Sequence, residues 1–164
     1  TGGCLINDTA WLNFKESQYG WFVYPLEITS YPNGDSLLIL FRGYTTDRTG
    51  YNNIAHEIFI VLKDTKIVTD NDLTRLNGKT FTLDGSTNYG GFLDSSGKIK
   101  IGKAIGQIQF GKVEERNNWT IGSSHPYIVA GKYSMSVYTD RNFALTNGRF
   151  DYNLYRPDST FIVY

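Results

Sequence analysis

The residues best suited to acid–base chemistry are the two histidines of the chain, His56 and His125. In "IAHEIFIV" the period of a strand turns His56 and Glu57 to opposite faces, so they cannot act together on one substrate. In "GSSHPY" Ser124 directly precedes His125, but adjacent residues seldom adopt the geometry of a nucleophile and its base, and the glycine spacing of a nucleophile elbow is missing. We therefore expect both histidines to be structural.

The carboxylates do not form a recognisable catalytic pair either. A glycosidase needs two carboxyl groups that face each other, about 5–10 Å apart. Glu114 and Glu115 are adjacent and diverge in an extended segment. Four aspartates lie at predicted turns or strand ends, where this residue ordinarily shapes the turn: Asp84, Asp94, Asp140 and Asp151. We expect no enzyme, although two carboxylates distant in sequence could still meet in the fold.

Motifs for metals and cofactors are missing from the sequence. Cys4 is the only cysteine, which excludes an internal disulfide and a multi-cysteine metal site. "DNDLT" has the opening spacing of a calcium loop but lacks its glycine and distal glutamate. The glycine-rich stretches 88–98 and 100–111 do not stand between a strand and a helix, where a nucleotide phosphate would bind. We expect no cofactor and no metal.

Length and charge narrow the class of protein. A chain of 164 residues fits one domain, 1–164, that can bury a core of its own. Its 16 basic and 16 acidic residues give no net charge, so the field that nucleic-acid binding needs is missing. No apolar run approaches the roughly 18–20 residues that span a bilayer. We expect neither a nucleic-acid partner nor membrane insertion.

Short runs of β-branched and aromatic residues recur between Gly, Asn, Asp and Pro clusters, and helical spacing is nearly absent. About eleven strands are predicted: 10–14, 21–28, 36–41, 56–62, 79–83, 98–101, 104–110, 119–121, 132–138, 149–155 and 160–164. Turn clusters predict hairpin corners at 31–35, 83–86, 94–98 and 146–149. Only 70–79 resembles a helix, of one or two turns, with Asp70 or Asn71 as its cap.

Two kinds of strand are expected. In "GKYSMSVYT" alternate residues are apolar, so Tyr133, Met135 and Val137 should face a core while Lys132 and Ser134 face water. "RFDYNLY" repeats this pattern, whereas "SLLILF" and "EIFIVL" are continuous apolar runs typical of strands covered on both sides. Together these patterns predict an all-β fold, a two-sheet antiparallel sandwich of galectin-like or jelly-roll-like type with at most one short helix.

Aromatic residues are abundant, at 12 Tyr, 10 Phe and 3 Trp. A sugar has flat apolar faces ringed by hydroxyls, so its site combines a stacking ring with amide or guanidinium hydrogen bonders. Three loops offer this combination: "GYTTDRTGYNN" at 43–53, "GSTNYGG" at 85–91 and "EERNNWTIG" at 114–122. The predicted ligand-binding residues are Trp119, Arg116, Asn118, Tyr51, Arg48 and Tyr89.

Two segments carry a resemblance to a known class. "DTAWLNF" near the start and "GRFDYNLYRPDST" near the end resemble the opening and closing aromatic strands of viral receptor-binding spike heads, most of all the galectin-like lectin head of the rotavirus outer-capsid spike. The resemblance implies a two-sheet sandwich that binds host glycans, has no catalytic activity and works outside the cell or on a virion surface. The galectin motif of His, Asn and Arg on one strand, followed by Trp and a Glu-Arg pair, is not present in order, so no binding residue carries over.

The sequence therefore predicts a non-enzymatic, lectin-like attachment head, of a viral or phage spike, whose partner is a host or cell-surface glycan. The first alternative is a structural or oligomerising β-domain, such as a fibre or capsid module, whose aromatic residues contact other subunits. A glycoside hydrolase is the second alternative. A homo-oligomer within a larger spike or fibre is compatible with either binding hypothesis.

Trp119→Ala is expected to lower glycan affinity roughly ten- to hundredfold, because a stacked ring contributes on the order of 1–3 kcal/mol. The urea midpoint should stay unchanged, since an exposed ring adds little to folding. If Trp119 belongs to the core, the variant instead loses about 3–5 kcal/mol of stability through a cavity. Measuring both quantities on one variant separates the two cases, and the second result would direct the search to Tyr51 and Tyr89.

Overall fold

The computed structural model describes residues 2–13, 16–18, 21–23, 26–31, 34–46, 53–93, 99–116, 127–138, 142–154 and 161–163. Its strands are β1 Gly2–Ile6, β2 Thr9–Asn13, β3 Glu16–Gln18, β4 Trp21–Val23, β5 Leu26–Ser30, β6 Ser36–Thr46, β7 Asn53–Lys63, β8 Thr80–Asp84, β9 Tyr89–Leu93, β10 Ile99–Glu115, β11 Tyr127–Tyr138, β12 Asn142–Leu154 and β13 Phe161–Val163. A 3₁₀ helix, Asp70–Leu76, lies between β7 and β8.

The prediction of an all-β antiparallel sandwich is confirmed. The strands pair in the order β13-β5-β6-β2-β1-β12-β11-β10-β9-β7, with β8 also on β10, and β3 and β4 form a hairpin of their own. All pairings are antiparallel except that of β13 with β5. Because β6 also pairs with β7, the path folds back on itself and sets β5, β6 and β7 against β10, β11 and β12.

Several predicted boundaries are wrong. The strand predicted at 21–28 is two strands, β4 and β5, and the two predicted within 98–110 are one strand of 17 residues, β10. The loop predicted around Tyr89 contains β9, and β1 and β3 were not predicted. The corner predicted at 146–149 lies inside β12, where Asn147 adopts a φ of 55°. The predicted strand 119–121 and the turn 94–98 lie outside the described residues.

The hairpin corner predicted at 31–35 is confirmed by the strands on its two sides, because Ser30 of β5 pairs with Leu37 of β6, and Gly34 has a φ of 69°. The segment predicted as a corner at 83–86 does turn, with Gly85 at a φ of 75°, but it does not form a hairpin: β8 and β9 both pair with β10 and not with each other.

The helix predicted at 70–79 is present and buries Leu73 and Leu76, but its cap is one residue earlier than predicted, at Thr69. The Asp72 carboxylate accepts the Thr69 amide at 2.9 Å. That bond satisfies an amide which the first turn leaves without a partner.

The predicted faces of β11 and β12 are confirmed. Tyr133, Met135 and Val137 are buried, while Lys132 is exposed and Ser134 half-buried. Rings from the two layers meet at the centre of the core: the centroids of Phe41 on β6 and Tyr133 on β11 are 5.0 Å apart in a stacked arrangement. This contact fixes β11, and the residues that alternate with Tyr133 are thereby held on the outer surface.

Some strand positions have room only for glycine. A Cβ on Gly131 would lie 2.5 Å from Cζ of Phe150 and 2.1 Å from the Gln109 carbonyl oxygen. Gly111, an exposed glycine at the bulge of β10, has no atom nearer than the Ala130 oxygen at 3.9 Å. The two glycines form a matched pair, one crowded and one free.

Gly131→Ala is expected to lower the free energy of unfolding by about 1–3 kcal/mol, because the added methyl group displaces the Phe150 ring or the β10 backbone. Gly111→Ala should change it by less than about 0.5 kcal/mol. Urea denaturation of the two variants measures the difference. Equal stabilities would contradict the packing described for β11 and β12.

Candidate functional site

The structure describes two of the six predicted ligand-binding residues. Arg116 is exposed just beyond the end of β10, and Tyr89 is half-buried at the start of β9. Their neighbours in register place them toward opposite ends of β10, because Gly90 pairs with Gly102. The 14 residue steps from Gly102 to Arg116 span roughly 45 Å of extended chain. The structure therefore does not bring Arg116 and Tyr89 into one site.

The other four predicted residues, Trp119, Asn118, Tyr51 and Arg48, lie outside the described residues and remain predictions. The same holds for His125. The second histidine, His56, is in β7 with Gly43 of β6 as its neighbour in register.

A groove does lie on the described outer face of β10, β11 and β12. It has a volume of about 220 Å³. Its lining consists of Gln107, Gln109, Lys132, Tyr133, Ser134, Asn147, Gly148 and Arg149. The polar side chains among these come from outward positions of three adjacent strands, so a rigid sheet positions them.

Two bulges set the register of this groove. On β10 the extra residue is Gly111, so that Phe110 pairs with Gly131 and Lys112 with Ala130. On β12 residues 146–147 stand opposite one residue of β11, since Tyr133 pairs with Gly148 and Met135 with Leu145. A bulge bends and twists its strand, which makes a depression in an otherwise flat sheet.

One row of side chains crosses the groove from strand to strand. Arg149 on β12 is opposite Lys132 on β11, Lys132 is opposite Gln109 on β10, and Gln109 is opposite Thr80 on β8. The residue beside Arg149 on β1 is Gly3, which has no side chain. The row therefore begins with two cations and continues with neutral hydrogen-bonding groups.

The lining is rich in side chains that donate or accept hydrogen bonds. Gln107, Gln109 and Asn147 each carry a donor and an acceptor, Ser134 carries a hydroxyl, and the two cations donate only. No residue of this lining has a carboxylate, so the two facing carboxyl groups of a glycosidase are not among these eight residues. The groove can bind a polar ligand through many hydrogen bonds.

Sequence reasoning missed this groove as a site. It did place Lys132 and Ser134 on the wet face of their strand, because alternation is a local pattern. The partners Gln109 and Arg149 lie on other strands, and only the cross-strand register joins them. The bulges that fix this register have no signature in the sequence apart from glycines and an asparagine that also suit turns.

Two carboxylates distant in sequence do meet, on the opposite layer. Arg42 binds Glu27 through Nη1 at 2.9 Å and Glu57 through Nε at 3.0 Å. The three residues belong to adjacent strands, β5, β6 and β7. Each carboxylate is engaged by the guanidinium, so the trio ties the strands together.

Other reactive groups of the described chain have structural surroundings. The Asp84 carboxylate accepts the amides of Ser86 and Thr87, each at 2.7 Å, which lowers its pKa and confirms its predicted role in a turn. Burial raises the pKa of the Cys4 thiol from 9.0 to about 11, so the nucleophilic thiolate is scarce at neutral pH. Within the described ranges, no three His, Cys, Asp or Glu residues are grouped to hold a metal ion.

Among the described residues there is no helix whose length and apolar character would suffice for a membrane span. Comparison with known proteins gives no family for the chain: no protein-family model, curated protein or solved structure matches it.

The free energy of unfolding is expected to fall as the pH rises from 9 toward 11. Below pH 9 the Cys4 thiol is protonated in both states; above it the unfolded chain loses the proton while the folded chain keeps it. The loss amounts to roughly 1 kcal/mol at pH 10. Urea denaturation at pH 8 and pH 10 should show a smaller decrease in Cys4→Ala. An equal decrease in both proteins would contradict the burial of this thiol.

Proposed function

We propose that the domain is a non-enzymatic carbohydrate-binding module, the attachment head of a larger assembly, and that it binds glycan in the groove of β10, β11 and β12. The observation that carries the proposal is the lining of side chains that both donate and accept, notably Gln107, Gln109 and Ser134. Each sugar hydroxyl is also donor and acceptor, so amides and hydroxyls can satisfy it in either sense.

The scaffold beneath the groove favours this function. β10, β11 and β12 are the longest strands described, with 17, 12 and 13 residues. The inward residues of β11 and β12 are locked in the aromatic core, where Tyr133 and Phe150 contact Phe41. Groups held by a packed sheet lose little freedom when a ligand binds, and preorganisation of this kind supports affinity for a weakly hydrophobic ligand.

A stacking surface is also available on the same outer face. Ile105 on β10 and Tyr138 on β11 are 52% and 45% exposed. Ile105 pairs with Ser136, so Tyr138 is its diagonal neighbour on the face. These side chains could contact the apolar face of a more distant sugar unit of an extended glycan.

The same pair supports the second candidate function, an oligomerising or protein-binding β-domain, because exposed apolar side chains are also typical of subunit contacts. The mass of the protein in solution distinguishes the two when the same sample is screened on a glycan array. A stable oligomer that binds no glycan and dissociates in Ile105→Asp would favour the second function.

The hydrolase alternative now has a specific carboxylate pair to test, Glu27 and Glu57. Glu57→Gln would abolish the turnover of chromogenic glycosides if this pair were catalytic. We expect no turnover by the unaltered protein, because Arg42 engages both carboxylates.

Gln109→Ala is expected to weaken glycan binding roughly tenfold, because one or two hydrogen bonds of about 0.5–1.5 kcal/mol each are lost. Isothermal titration with the strongest ligand from a glycan array measures the change. Thr74→Ala is the control: Thr74 is an exposed hydrogen-bonding side chain on the 3₁₀ helix, away from the groove and from Tyr138.

The control variant should bind as the unaltered protein does, and both variants should keep its urea midpoint. Equal affinity of Gln109→Ala and the unaltered protein would contradict binding in the groove. Failure of the unaltered protein to bind any glycan would contradict the function itself.

A further inference from the structure

We infer that the groove selects acidic saccharides, and that Lys132 and Arg149 together bind a carboxylate or sulfate group of the ligand. This inference rests on the proposed function and adds the chemical class of the glycan. It follows from the placement of two like charges on one sheet face.

The pairing of these cations is unfavourable in the empty protein. Lys132 and Arg149 are direct cross-strand neighbours on the outer face of β11 and β12, and both are exposed. Like charges directly opposite each other destabilise a sheet. A bound anion between them would remove the repulsion and gain two charge-assisted hydrogen-bonding partners.

Neither cation of the pair is in an ion pair with a described carboxylate. The other described cations with ion pairs are Arg42, Arg75 and Lys112, whereas Lys132 and Arg149 form none with the described part of the chain. The register places Asp151 one pair further along the same face, opposite Ala130. The groove side of the pair is lined by amides and a hydroxyl.

The order of residues across the face gives the ligand an orientation. The anionic group would lie over Arg149 and Lys132, beside Gly3, which has no side chain. The sugar ring would then extend over Gln109 toward Thr80. Arg149 and Gln109 are two strand spacings apart, about 10 Å, which suits a ligand with one charged end and a neutral hydroxylated body.

Lys132 and Arg149 put two positive charges side by side in a chain that has no net charge, since it has 16 basic and 16 acidic residues. A polyanion such as a nucleic acid needs a basic surface of many residues. A single pair of cations beside neutral amides fits one acidic group on a polar ligand better.

The test uses an array on which each carboxylated or sulfated glycan is printed beside its neutral parent. The protein should bind acidic members at least tenfold more tightly than their parents. Lys132→Gln and Arg149→Gln should each lower affinity for the acidic members at least tenfold. Lys63→Gln, which removes one exposed charge at the end of β7 in the opposite layer, should change it less than twofold.

A second measurement uses sodium sulfate alone. Sulfate should raise the melting temperature of the unaltered protein more than that of Lys132→Gln or Arg149→Gln, with Lys63→Gln again as the control for general salt effects. Without sulfate, neither groove variant should melt at a lower temperature than the unaltered protein, because each relieves a repulsion.

The outcomes separate the two proposals. Equal binding of neutral and acidic glycans, lost in Gln109→Ala, would overturn the inference and leave the proposed function standing. Sulfate stabilisation that depends on Lys132 and Arg149, with no glycan bound, would overturn the proposed function and keep only the anion site. Tighter binding of a single-stranded oligonucleotide than of any acidic glycan would overturn the saccharide ligand.

Discussion

Aromatic rings hold the two layers face to face. The groove on the outer surface depends on this contact, because the contact decides which residues of the strands point inward. Phe41 projects from β6 between Tyr133 of β11 and Phe150 of β12, with ring centroids 5.0 and 5.3 Å away. Phe110 of β10 joins the cluster at 5.8 Å from Phe150. Offset and edge-to-face rings pack at these distances with net attraction beyond their burial.

The groove is the outer consequence of this inner packing. Because successive side chains of a strand alternate between its faces, anchoring Tyr133 inward fixes Lys132 and Ser134 outward. The glycines opposite the rings let the strands approach closely, as at Gly148, where a Cβ would lie 2.7 Å from Cδ2 of Tyr133. The packing of the core therefore offsets the repulsion between the two like charges, Lys132 and Arg149, on the outer face of the sheet.

The sequence predicted what depends on local periodicity. The inward residues of β11 and β12, the turns with glycine at positive φ, and the single short helix all follow from spacing over a few residues. It failed where one local pattern serves two structures: Asn147-Gly148 accepts the backbone of a hairpin corner, but the structure uses it for a bulge within β12. The groove depends on that bulge and on pairing between distant strands, so a single sequence could not predict it.

The most direct test of glycan binding in this groove is a map of backbone amide chemical shifts by NMR while the tightest-binding acidic glycan is added. The account predicts the largest shifts at Gln107, Gln109, Lys132, Ser134 and Arg149, on three strands that only the fold brings together. Large shifts elsewhere, for instance around Trp119, with these five amides unchanged would contradict it.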